Sequence, residues 1–309
     1  MSHSHSPPSV GVVVLNYNHS ELTINCVKAL LKQEYSNFKI VVVDNNSPDE
    51  AQKLILKTRL PESVTLILHL ENKGYAAGNN VGAKYCIETG HSDFVFVLNN
   101  DTILEDPKTI EKLVKTFEDN KIVAVSPLVD TTSAGGKVEN QIQVRKLLNP
   151  YKMMVCNVIF LSRLPFFKRF SREYLYMDWM PYTPSVYPVD SINGSAFMIR
   201  ASTLQTIGYL NEKTFLYAEE LILGCQIKTL GKTCALNGHT SVTHYQGLST
   251  GNDRQTLNWK MHKYGIDSMC ILFEDYYKSP KWFTFSFKLL RIIDFLFKKV
   301  YLWIIHIFG

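Results

Sequence analysis

Four short clusters of asparagine, aspartate and glycine stand out among the residues able to do chemistry: Asn16-Tyr17-Asn18, Asp44-Asn45-Asn46, the run from Glu71-Asn72-Lys73-Gly74 to Gly78-Asn79-Asn80, and Asn99-Asn100-Asp101. Any one of them is ordinary turn chemistry, because these residue types tolerate the conformations that end strands. Their repetition asks for a further reason. Farther along, Glu219 and Glu220 follow the apolar run Phe215-Leu216-Tyr217, and His244 lies in a Thr-His-Tyr-Gln-Gly segment. An ordinary glutamate is ionised at neutral pH and can take a proton from a hydroxyl; a pair of acids is also what a helix N-terminus favours through its dipole.

Positioning these groups falls to alternating strands and helices. Residues 10–15 and 39–43 are β-branched runs that predict buried parallel strands, with a helix over 20–33 between them. A third strand is expected at 64–69 and a fourth in Phe94-Val95-Phe96-Val97-Leu98, each followed by one of the clusters. The expected class is α/β with a mostly parallel, Rossmann-like sheet flanked by helices. In such open sheets ligands bind beyond the carboxyl ends of the strands, where all four clusters fall. A helix is expected within 105–125, then a strand at 122–126, a Gly/Ser/Asn-rich loop over the site at 130–150, and an aromatic, basic stretch at 151–177. Residues 189–200 predict a strand and turn leading to a helix, and from Asn258 onward the pattern is helical and amphipathic.

Composition narrows the function classes. Of 309 residues 46% are hydrophobic and 20% charged, an ordinary globular mix that excludes long disorder. The six cysteines are scattered without a C-x-x-C, which argues against a zinc knuckle or a disulfide framework and fits a reducing compartment. The first ten residues lack the basic and apolar regions of a secretory signal, and no apolar run approaches the roughly 20 residues of a membrane span. Of the net +5, residues 281–309 carry +4, so basicity belongs to the tail and a nucleic-acid surface is disfavoured. The dinucleotide fingerprint G-x-G-x-x-G is absent, since Gly74, Gly78 and Gly82 are four apart and follow the third strand, which disfavours a dehydrogenase. A nucleotidyltransferase would want a basic loop after the first strand, and residues 16–22 hold no lysine or arginine.

Taken in order, VVVLNYN, VVVDNNSPD, ENKGYAAGNNVGA, FVFVLNND, NGSAFMIR, FLYAEE and HYQG resemble the inverting glycosyltransferases of family 2, especially the rhamnosyltransferase-like members of polysaccharide and O-antigen assembly. The resemblance covers roughly residues 10–250. It implies a GT-A fold, a UDP- or dTDP-sugar donor with dTDP-rhamnose favoured, Mg²⁺ or Mn²⁺, and a lipid-linked oligosaccharide acceptor. By the same resemblance Asp44 accepts a hydrogen bond from a pyrimidine base; Asn16, Asn72, Gly74, Gly78, Asn79 and Asn100 surround the donor nucleotide; Asp101 and His244 hold the metal. Asn99-Asn100-Asp101 stands where the family has D-x-D, and Glu219-Glu220-Leu221-Ile222 where it has E-D-x-D, so Glu220 is the implied catalytic base with Glu219 beside it. Asp190, Asn193, Gly194 and Ser195 match the acceptor side. The amide at Asn99 and the apolar Ile222 keep a second reading open, a non-catalytic protein of this fold that binds a sugar nucleotide or a glycan.

The expected organisation is a tail at 1–9, a transferase domain at 10–257 (nucleotide half 10–128, acceptor half 129–257) and a C-terminal helical region at 258–309. At about 100° per residue, Lys281, Lys288, Arg291, Asp294, Lys298, Lys299 and His306 share an arc of about 140° opposite Phe, Leu, Ile and Trp. That pattern fits peripheral attachment to the inner face of the cell membrane from the cytoplasm, or packing on the chain's own domain or on a second copy.

Overall fold

The computed structural model describes residues 6–132, 138–140, 143–180, 182–245 and 258–308. Residues 1–5 of the expected tail, parts of the expected loop at 133–137 and 141–142, Gly247 of the HYQG segment and the expected boundary at 257 lie outside the described residues. The chain runs β1 (Val10–Asn16), α1 (Ser20–Leu30), β2 (Phe38–Asp44), α2 (Glu50–Arg59), β3 (Val64–Leu68), α3 (Tyr75–Glu88), β4 (Phe94–Asn99), β5 (Thr102–Ile103), α4 (Thr109–Thr116), β6 (Ile122–Thr132) and β7 (Val138–Asn140). It continues through α5 (Pro150–Asn157), α6 (Ile159–Ser162), α7 (Lys168–Tyr174), β8 (Val186–Val189), β9 (Ala196–Arg200), α8 (Ala201–Thr206), α9 (Glu219–Thr229), β10 (Thr233–His244), α10 (Trp259–Ile271) and α11 (Lys281–Phe308).

One sheet organises the fold, in the order β3-β2-β1-β4-β9-β6-β10-β5. The first four strands are parallel, and the register pairs Asn16 with Asp44 and Leu15 with Asn99, so three polar strand ends finish at one edge. β9 enters antiparallel between β4 and β6. Here the turn after Val189 leads first into a strand and only then into α8, because Ala196–Ile199 is a continuous apolar run buried on both sides within the sheet.

Alternation along each strand separates two cores. Val10, Val12 and Val14 pack beneath α1, α2 and α4, whereas Val13, Val41 and Val43 meet α3 on the opposite face. α3 comes unusually close: a Cβ at Gly82 would lie 2.4 Å from Val13 Cγ1. A third cluster joins Met153, Leu221, Ile222, Ile266, Phe273, Phe283 and Phe287, so the C-terminal helices share a core with α9.

α11 corrects the simple projection. Its packed face carries Phe283 and Phe287 together with two members of the charged arc. Arg291 donates to the Asn157 carbonyl at 2.7 Å, and the buried Asp294 accepts from the Ile159 and Phe160 amides at 2.6 and 3.2 Å, capping α6. The side chain of His306 lies outside the described residues. Trp282, Phe285, Leu289, Ile292, Leu296 and Val300 face solvent. No described helix is long and apolar enough to cross a membrane.

Candidate active site

At the carboxyl edge of β1, β2 and β4 the polar residues first satisfy one another. Asp44 is fully buried and accepts from Asn16 Nδ2 at 2.7 Å, Ser47 Oγ at 2.5 Å and the Ser47 amide at 3.0 Å. Asn16 Oδ1 accepts from Thr23 Oγ1 at 2.7 Å and from Asn100 Nδ2 at 3.4 Å; Asn100 also donates to Thr23 Oγ1 at 3.1 Å. The three bonds to Asp44 hold its carboxylate in one orientation at the end of β2. Asn16 and Asn100 thus fix the Asp44 carboxylate and tie the strand ends to α1.

The glycine-rich loop has a mechanical explanation. Gly74 sits at φ +102°, and a Cβ there would fall 2.2 Å from the Phe215 carbonyl oxygen. Only glycine fits that approach. Asn72 Oδ1 accepts from Asn45 Nδ2 at 3.1 Å and from the Gly74 amide at 3.0 Å, fixing the turn that starts α3. Gly78 presses on Leu15 and Asn45, and Asn79 donates to the Tyr75 carbonyl at 3.0 Å. Gly78 and Asn79 therefore seat α3 on the sheet, and both are buried.

Asp101 and His244, 143 positions apart, meet because β5 pairs antiparallel with the end of β10, with His244 opposite Thr102. His244 Nε2 lies 3.1 Å from Asp101 Oδ1, and both side chains are largely buried. Among the described residues His244 Nδ1 is buried without a hydrogen-bond partner, and no group of three or more His, Cys, Asp or Glu gathers into a metal cage. One carboxylate and one imidazole are donor types that suit a divalent ion.

Glu219 and Glu220 open α9 after two non-glycine residues in the left-handed region, Tyr217 (φ +75°) and Ala218 (φ +63°). Such conformations cost of order 1–3 kcal/mol each and cluster at functional sites. The twist sends the two acids in different directions. Glu219 is buried; desolvation, and then the neighbouring Glu220 charge, push its carboxyl up to about 8. Glu220 instead receives a 2.6 Å bond from Arg145 Nη1, and the two side chains keep 17% and 30% of their surface accessible. At neutral pH Glu219 is a proton donor and Glu220 is ion-paired.

Tyr75, the first residue of α3, binds these pieces together. Its hydroxyl donates to the Gly194 carbonyl at 2.5 Å. Burial raises its pKa well above the usual value, with Glu219, Glu220 and Asp101 adding to the rise in that order. On the acceptor side Gly194 faces Glu220, a Cβ there standing 3.9 Å from Oε2. Asn193 Oδ1 accepts from the Ser195 amide and hydroxyl at 2.9 and 2.7 Å, closing the turn, and the Ser195 carbonyl accepts from the Asn99 amide at 2.8 Å. Asp190 accepts from the Leu147 amide at 2.9 Å, which anchors the segment carrying Arg145. The structure thus brings His244 to Asp101 and Gly194 to Glu220, and places Asp190, Asn193, Gly78 and Asn79 as supports. Sequence reasoning missed Arg145, Tyr75 and Ser47; only Tyr75 carried a signal, following the glycine that starts α3.

The mostly parallel sheet flanked by helices is the GT-A fold of the solved glycosyltransferases on which it superposes. Residues 11–177 match the model of glycosyl transferase family 2, more than half of the chain, and the chain belongs to that family. Over 212 residues, 69% of the chain, it is 26% identical to the low-salt glycan biosynthesis hexosyltransferase Agl10 of Haloferax volcanii. Over 111 residues, 36% of the chain, it is 30% identical to the glycosyltransferase GlyG of Streptococcus pneumoniae serotype 4. The chain spans 59% and 35% of those two proteins. Among solved structures, GalNAc-T7 with UDP, GalNAc and Mn²⁺ superposes with a TM-score of 0.59 at 15% identity, covering 87% of this chain and 48% of that one. The mannosyltransferase PcManGT from Pyrobaculum calidifontis in complex with GDP-Man and Mn²⁺ gives 0.54 at 16% identity, covering 89% and 65%. These two likenesses concern the fold.

Proposed function

We propose that the chain is an inverting, metal-dependent hexosyl- or rhamnosyltransferase that moves a sugar from a UDP- or dTDP-sugar, dTDP-rhamnose favoured, to a lipid-linked glycan in cell-surface polysaccharide synthesis. The observation that carries this reading is a polar edge on which Asp101 meets His244 at 3.1 Å, while Glu220, held by Arg145 at 2.6 Å, faces Gly194, whose carbonyl takes the Tyr75 hydroxyl. Glu220, ionised and held by Arg145, takes the proton of an acceptor hydroxyl as that oxygen bonds to the anomeric carbon. The bond from that carbon to the nucleoside diphosphate breaks on the opposite face, which inverts the configuration. Asp101 and His244 would hold Mg²⁺ or Mn²⁺, which when bound offsets the charge of the departing diphosphate. Asp44, held by Asn16 and Ser47 at the end of β2, receives a pyrimidine N–H.

Peripheral membrane attachment belongs to the same reading. Its support is the open apolar face of α11, where Trp282 and Phe285 are 60% and 68% exposed, with Lys288, Lys298 and Lys299 on the same helix. A second copy covering that face is the competing arrangement, and light scattering of the detergent-free protein separates the two.

The test of the activity is a donor panel with Mn²⁺, read as release of UDP, dTDP or GDP with and without acceptor. A pyrimidine nucleotide should be released, and Asp101→Asn should abolish the metal response. Donor binding with no release under any condition would favour the non-catalytic reading.

A further inference from the structure

A cavity of about 360 Å³ opens beside Glu220, between α9, α10 and α11. One part of its wall is the Arg145–Glu220 pair with Tyr217; another is His262, Arg291 and Lys298. Tyr174 and Asn157 join the two parts, the Asn157 amide reaching the Tyr174 hydroxyl at 3.5 Å. Three permanent cations therefore line this wall against one carboxylate.

The partners of those cations leave capacity unused. Arg291 gives the Asn157 carbonyl a bond at 2.7 Å and meets Asp294 Oδ2 and His262 Nδ1, each at 3.4 Å. A guanidinium has five N–H donors, so Arg291 retains some. Lys298 makes no ion pair among the described residues. Burial lowers the pKa of His262; its bond to the Arg291 carbonyl and the Asp294 charge work the other way, and the Arg291 and Lys298 charges lower it further. Glu220 balances Arg145 and the buried Asp294 balances Arg291, which leaves the exposed Lys298 as the uncompensated charge at the cavity, beside the unused donors of Arg291.

We propose that this cavity is an acceptor subsite for a phosphate ester: Arg291 and Lys298 take the phosphate or diphosphate that the acceptor carries, and its reacting hydroxyl turns toward Glu220. The proposal rests on the reading of Glu220 as the base. It assigns the C-terminal helices a part in choosing the substrate, because Phe287, Arg291, Phe295 and Lys298 reach the cavity from α11.

The test uses the full chain in metal-free buffer with EDTA, without vesicles, titrated calorimetrically with geranyl diphosphate and with geraniol. The diphosphate should bind at least roughly tenfold tighter than the alcohol, Lys298→Glu should remove that preference, and Lys57→Ala, on the far exposed side of α2, should keep it. Equal binding of the two probes, or equal losses in both variants, overturns the proposal. So does flotation with phosphatidylglycerol vesicles that depends on Lys298 while geranyl diphosphate fails to bind, since the cations then serve a lipid surface. Because the titration needs neither donor nor turnover, an inactive protein that still binds the diphosphate counts against the transfer reading alone. Equal transfer to phosphorylated and phosphate-free acceptors counts against the cavity alone.

Discussion

Arg145 Nη1 stands 2.6 Å from Glu220 Oε1 across 75 positions of chain, and this pair separates two adjacent glutamates that the sequence presents as equals. Glu220→Gln keeps the shape of the side chain and removes its basicity. Transfer should fall by roughly 10²–10⁴ with donor affinity little changed. Arg145→Met removes the bond that positions the Glu220 carboxylate, so kcat should fall with donor affinity little changed. A wild-type rate in Glu220→Gln, under conditions where chemistry limits turnover, would transfer the role elsewhere.

Glu219 gives a pH signature in stability. Its carboxyl is raised to about 8 in the fold by burial and by Glu220, so between the ordinary carboxylate range and about 8 the folded state holds a proton that the unfolded chain has lost. Stability therefore decreases as pH rises through that window, by on the order of a few kcal/mol. Glu219→Gln should be the more stable protein at pH 8.5, by several degrees in Tm, and should lose this advantage at pH 4.5. Melting curves of both proteins across that range decide it. Its effect on the chemical step should be smaller than that of Glu220→Gln.

Nucleotide choice tests Asp44. The Asn16 and Ser47 bonds leave its carboxylate little room, which suits a single N–H from a pyrimidine ring. In calorimetry with Mn²⁺, UDP or dTDP should bind at least roughly tenfold tighter than GDP. Equal affinities would remove the argument.

Gly74 tests the mechanics of the donor loop. With φ at +102° and the Phe215 carbonyl 2.2 Å from any Cβ, Gly74→Ala must move the backbone. Urea unfolding should show a loss of about 1–3 kcal/mol, and donor binding should weaken with it because Asn72 and Tyr75 depend on the same turn.

Membrane attachment is best tested without deleting the tail, because Phe283 and Phe287 are core residues and removing them would open the third cluster. Replacing the exposed Trp282, Phe285 and Leu289 with Gln should abolish liposome flotation while the melting temperature holds. Flotation that survives the triple substitution would move the contact elsewhere.

The sequence by itself determined the sheet's parallel half and its ligand edge. Strands buried on both faces are continuous apolar runs, and the polar residues that end them can only finish where the run stops, so Asn16, Asp44 and Asn99 were legible as strand ends, with Asp101 two residues beyond. The helical tail was legible too, since a period of 3.6 needs no partner to be recognised. Tertiary structure alone decided the pairings across long separations. Arg145 on Glu220, His244 on Asp101 and the antiparallel entry of β9 arise from register between distant strands, which no local spacing encodes. It also decided which face of α11 is covered. Periodicity orders residues around a helix, but Arg291 and Asp294 turn inward because the fold supplies them with a carbonyl and two amides, and the apolar side chains on the other side meet nothing among the described residues to cover them.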